Sequence, residues 1–140
     1  MKNYERFHDG YFEGIWVPGQ CVAHVHLATS DRQRSTAVLT GVVMIKVTGF
    51  REGNIILEVG TRSGGEATPE DIATLYDLKL GHEPTTWELQ LLEKLKNGSL
   101  CLFEISCSYG GECLILAEGV NLLTQEEWME QGWPTLHQHD

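Results

Sequence analysis

Positive charge is scarce in this chain. Ten lysines and arginines stand against twenty aspartates and glutamates, a net charge of −10 with histidine neutral. Nucleic-acid binding works by neutralising phosphates with Lys and Arg. The cations here are scattered along the sequence, with Arg32 and Arg34 in one polar loop the nearest thing to a cluster. Nucleic acid is therefore not an expected partner, and neither is an anionic membrane surface. Long apolar runs are missing too, and none approaches the roughly 20 residues that a spanning helix needs. The opening Met1–Arg6 stretch has no apolar segment of the kind a secretion signal carries. The expected location is the cytoplasm, where four cysteines stay reduced. No Gly-x-Ser-x-Gly, Rossmann glycine pattern, zinc finger, kinase signature or Cys-x-x-Cys occurs.

What remains is an ordinary globular composition, 41% hydrophobic and 21% charged. At 140 residues the chain fits one domain spanning residues 1–140. Three helix starts are written clearly. Thr68-Pro69-Glu70-Asp71 supplies an N-cap, a proline at the first helical position and acids over the positive helix end. That helix is expected to run toward Gly81. Thr85-Thr86-Trp87-Glu88 is a capping box whose helix closes at Asn97-Gly98. Thr124-Gln125-Glu126-Glu127 is another, with Leu123 and Trp128 at the positions of a hydrophobic staple.

Strands are expected over Tyr11–Val17, Cys21–Ala28, Ala37–Thr48, Ile55–Val59, Leu100–Cys107 and Cys113–Gly119, with turns at Gly53-Asn54 and Gly110-Gly111. Helices grouped rather than alternating with strands point to an α+β fold. The expected form is a curved antiparallel sheet of about six strands with two or three helices packed on one face.

The densest group of soft ligands is Gln20-Cys21-Val22-Ala23-His24-Val25-His26-Leu27-Ala28. Side chains alternate along a strand, so Cys21 falls on the apolar face with Ala23, Val25 and Leu27. His24 and His26 fall on the other. Zinc wants four ligands, and this stretch offers two. The matching outer positions of the next strand, Thr40, Met44, Lys46 and Thr48, are poor ligands. Glu58 lies two strands away in a simple meander, roughly 10 Å at the backbone. Neither a metal nor another cofactor is expected. As a catalytic base an imidazole needs only a cleft and one partner.

Cys101, Cys107 and Cys113 share an apolar face with Phe103, Ile105, Ile115 and Ala117, and Cys107 and Cys113 are expected to face each other. Buried thiols behaving as small hydrophobes are the expectation. On the opposite face Glu104 and Glu118 become diagonal neighbours, close enough to divide their acidities or to bind a cation. Thr61-Arg62-Ser63-Gly64-Gly65 lacks the Gly-Lys-Ser/Thr of a phosphate loop, and the acids that follow would repel phosphate. Aromatic residues mark both ends, Tyr4, Phe7, Tyr11 and Phe12 at one and Trp128 and Trp133 at the other. Aromatics favour interface cores, so a homodimer fits the pattern. His137 and His139 form a second His-x-His, too near a chain end to hold a ligand cheaply.

Two functions follow. The first is a small acidic non-catalytic binding domain for a cationic small molecule or a basic protein surface, using His24, His26, Glu58, Glu104 and Glu118. The alternative is a small hydrolase- or lyase-like enzyme pairing His24 or His26 with Glu58 or with the Glu104/Glu118 pair.

Overall fold

A computed structural model describes residues 4–51, 53–79 and 81–131. The expectations for Trp133, His137 and His139 lie outside these residues. Eight strands are described: β1 (Tyr11–Gly19), β2 (Val22–Ala28), β3 (Arg34–Thr40), β4 (Met44–Thr48), β5 (Ile56–Arg62), β6 (Cys101–Cys107), β7 (Glu112–Ala117) and β8 (Gly119–Thr124). Three α-helices accompany them: α1 (Pro69–Leu75), α2 (Thr86–Lys96) and α3 (Gln125–Glu130). The fold is α+β and every strand pairing is antiparallel.

The expected single six-stranded sheet is replaced by two four-stranded sheets, in the orders β1-β2-β3-β8 and β4-β7-β6-β5. The reason lies at two breaks. Residues 37–48, expected as one strand, break at Gly41, whose φ of +60° suits glycine. The Glu118 side chain also occupies the space a Cβ would need there. The strand expected at Cys113–Gly119 breaks opposite, where the Glu118 amide donates to the Thr40 carbonyl at 3.0 Å. The chain thus leaves the first sheet as β3 and enters the second as β4, then returns as β7 and β8. One bent ribbon serves both sheets. At the other side β1 meets Ile55, the residue just before β5, through a bridge with Tyr11.

Alternation fills the space between the sheets with Val25, Leu27, Ala37 and Leu39 from one side and Ile56, Phe103, Ile105 and Ile115 from the other. The alternate residues Leu102, Leu114 and Leu116 meet Ile72, Leu75 and Leu95 of α1 and α2. Strands β6 and β7 are therefore buried on both faces, which accounts for their nearly continuous apolar sequences. Helices α1 and α2 cover the second sheet, while α3 lies against β3 and β8 of the first. The helices do not share one face as expected.

Helix α2 begins and ends as its capping box and Asn97-Gly98 dictate, with Gly98 at φ +84°. Helix α1 stops at Leu75, well short of Gly81, because the chain turns through Asp77 at φ +55°. At α3 the capping box is reciprocal. The Glu127 amide donates to Thr124 Oγ1 at 3.1 Å and the Thr124 amide to Glu127 Oε1 at 2.8 Å.

Candidate functional site: an aromatic and imidazole cleft on the first sheet

The register of the first sheet sets His24 beside Trp16 on β1 and Val38 on β3, and His26 beside Thr36. All point away from the intersheet core. Helix α3, fixed by its capping box, lays Trp128 over them. The Trp128 Nε1 donates to His24 Nδ1 at 2.8 Å. Indole is a donor only, so His24 Nδ1 is an acceptor and a neutral ring carries its proton on Nε2. The Trp128 ring lies 5.1 Å from His26 and 6.5 Å from Trp16, both edge-on, and Trp16 is 4.9 Å from His24. His26 Nδ1 shares a 2.9 Å hydrogen bond with the Thr36 hydroxyl.

Burial governs the protonation of both rings. His24 is fully buried, and its pKa falls from 6.5 to about 4, chiefly by desolvation and then by its neighbour His26. Protonating it would also break the bond from Trp128. Burial lowers His26 as well, with the Glu13 carboxylate pulling the other way. Two neutral imidazoles between two indoles make an apolar wall with polar tips.

A cavity of about 370 Å³ opens beside this wall, lined by His26, Trp128, Thr36, Gln125, Glu13 and Arg34. Glu13 is held by Arg34 Nε at 3.0 Å and by Arg32 Nη1 at 3.5 Å. Arg32 also lies over the Tyr11 ring at 3.7 Å. The arginines that are scattered in sequence are thus gathered in space, and Arg6 joins them by donating to Ser35 Oγ at 3.3 Å.

The remaining sequence candidates are dispersed. Glu58 is exposed on β5 of the second sheet, in a groove of about 500 Å³ with Glu5, Tyr4, His8, Leu57 and Val59. Glu104 faces the helices and takes both Oε contacts from Arg62, at 2.9 and 2.7 Å, while Arg62 also meets Asp71 at 3.0 Å. That triad pins α1 to the sheet, and it is also the role of Arg62 in the glycine-rich stretch. Glu118 sits exposed at the ribbon's bend. Glu104 pairs with Leu114, not with the neighbourhood of Glu118. The two acids are four residues apart along the strands, roughly 13 Å. They are not diagonal neighbours.

The same register sets Cys113 opposite Ile105, so Cys107 and Cys113 are offset along the hairpin instead of face to face. Both are buried, and desolvation raises both thiols, Cys113 to about 12. Cys101 is only partly buried. Cys21 is exposed and lies outside β2, in a two-residue turn with Gln20. Both turn residues have φ near +57°, the requirement of a type I′ hairpin that usually selects Asn-Gly. This turn overturns the expected inward Cys21.

Trp16, Glu13 and the lining role of Trp128 are not singled out by the sequence, although Trp128 at the fourth position of its capped helix was the available signal. Among the described residues no three or more His, Cys, Asp and Glu side chains are grouped closely enough to hold a metal ion. No helix among them is long and apolar enough to cross a membrane. No family model, no curated protein and no solved structure matches the chain, so the reading of this cleft rests on its geometry.

Proposed function

We propose that the chain is a non-catalytic binding domain whose ligand seats against His26 and Trp128. The supporting observation is the hydrogen bond from Trp128 to His24, which fixes an indole at the mouth of a cleft instead of leaving it to pack at random. Rigid aromatic rings with a few convergent polar groups are the usual makings of a small-molecule site. The enzyme reading has less behind it. His24 is sealed from substrate, Glu13 is engaged by two arginines, and Glu58, Glu104 and Glu118 lie at separate places. The test is titration of the protein with small flat molecules, followed through indole fluorescence and the NMR signals of the Trp128 and His26 side chains. Saturable shifts at those two residues, lost in a Trp128→Ala variant, are the expected result. Shifts elsewhere only, or none across a broad panel, would remove the reading.

One observation favours a second partner. The net charge of −10 attracts cations at long range, and the Glu5–Glu58 groove joins two carboxylates to apolar Leu57 and Val59. A basic protein surface or cationic small molecule would find both there. Glu58→Gln should weaken such binding more than a scattered change such as Glu130→Gln, measured with a basic protein at low salt.

A further inference from the structure

We infer that the ligand of the His26–Trp128 cleft carries an anionic group, a carboxylate or a phosphate ester, alongside its flat ring. This rests on the binding reading above and extends it to a ligand class. The geometry continues past the aromatic wall. A second cavity, of about 470 Å³, adjoins the first, and Arg34 and Gln125 line both. Arg6 and Ser35 stand on its far side. Ser35 is a buried hydroxyl, 5% exposed, already hydrogen-bonded to Arg6.

Arg34 spends its Nε on Glu13. That contact leaves the two terminal nitrogens of a side chain that lines both cavities available to a further acceptor. A guanidinium held from behind by a carboxylate presents a planar, pre-oriented fork to a second anion. The compartment also contains one carboxylate, Glu126 of α3. With Arg32, which shares Glu13 with Arg34, three arginines stand against the two acids Glu13 and Glu126, a local excess of one positive charge on a protein whose overall charge is −10. That inversion is the substance of the inference. The far field of the molecule repels anions, so arginines gathered beside an aromatic wall have a local purpose to serve. A ring against Trp128 and His26 would extend its charged group toward Arg34 and Arg6, with the Ser35 hydroxyl and the Gln125 amide as further partners.

The probes are indole-3-acetate, its neutral amide, the cationic tryptamine and indole-3-methyl phosphonate, each titrated calorimetrically at 50 mM and 200 mM salt. The carboxylate or the phosphonate is expected to bind about tenfold more tightly than the amide, the scale of one charge-assisted hydrogen bond. Which of the two gains more separates a carboxylate ligand from a phosphate one. Arg34→Gln and Arg6→Gln should each erase most of that preference, read as the ratio of acid to amide affinity within the same variant. Glu126→Gln should enlarge the preference, a gain that no unfolding variant can mimic. Equal affinity for acid and amide, or a preference for tryptamine, overturns the anionic inference and leaves the cleft reading standing. A preference insensitive to all three variants places the anion elsewhere and overturns it too. Failure of every indole, the amide included, would remove the cleft reading itself.

Discussion

His24 carries the sharpest consequence at the scale of single residues. In the folded chain it accepts a proton only near pH 4, against 6.5 for an exposed imidazole. Between those values the unfolded chain binds the extra proton and the folded one does not, so stability falls as pH is lowered through that window. For this group alone the loss is on the order of 3 kcal/mol. Urea unfolding at pH 7 and pH 4.5 should register it, and a His24→Gln variant should flatten the slope. An unchanged slope in the variant would show that the proton goes elsewhere. The cysteines divide just as clearly. Cys21 is exposed, while Cys113 is fully buried and its thiol pushed up to about 12. Thiolate is the reactive form, so alkylation of the native protein followed by peptide mapping should modify Cys21 first and Cys113 only after denaturation. Prompt labelling at Cys113 would contradict its packing.

Among elements, α3 is the shortest of the three α-helices and the most consequential for the cleft, because six residues hold Trp128 in place. Its reciprocal capping box is the obvious point of attack. Thr124→Ala should cost about 1 kcal/mol, and the indole proton of Trp128 should lose its protected NMR signal before the rest of the chain responds. Retention of that signal would mean that Trp16 and His26 alone hold the ring. The caps were legible in the sequence because a cap is decided within four residues. The breaks were not. Gly41 is a turn residue only because Glu118 comes to lie against it, 77 positions later in the chain. The hydrogen bond between Trp128 and His24 joins residues 104 apart, beyond the reach of any local pattern. The side-chain alternation that sets His24 and His26 opposite Ala23 and Val25 was readable, since period-2 burial survives whichever strand becomes the neighbour. The Glu104/Glu118 pairing failed on hairpin register, which a two-residue change in loop length is enough to move.

For the whole molecule, charge is the property that composition alone determines. A net charge of −10 on 140 residues repels itself in the compact state. Raising ionic strength from 0.01 M to 0.15 M shortens the screening length from about 30 Å to about 8 Å, so the melting temperature should rise over that range. A fall would mean that Arg62–Glu104 and the other ion pairs outweigh the general repulsion. The approximate order of strands and helices along the chain came from the sequence, whereas the rise from six expected strands to eight, and their division into two layers, arose with the two breaks in the bent ribbon. That ribbon has a consequence for how the protein opens. Because β3–β4 and β7–β8 each run through both sheets, neither four-stranded layer can come apart without disturbing the ribbon it shares with the other. Amide hydrogens at the centre of β2 and of β6 should therefore exchange with solvent through one shared opening event, at one free energy, with no slower-exchanging layer left behind.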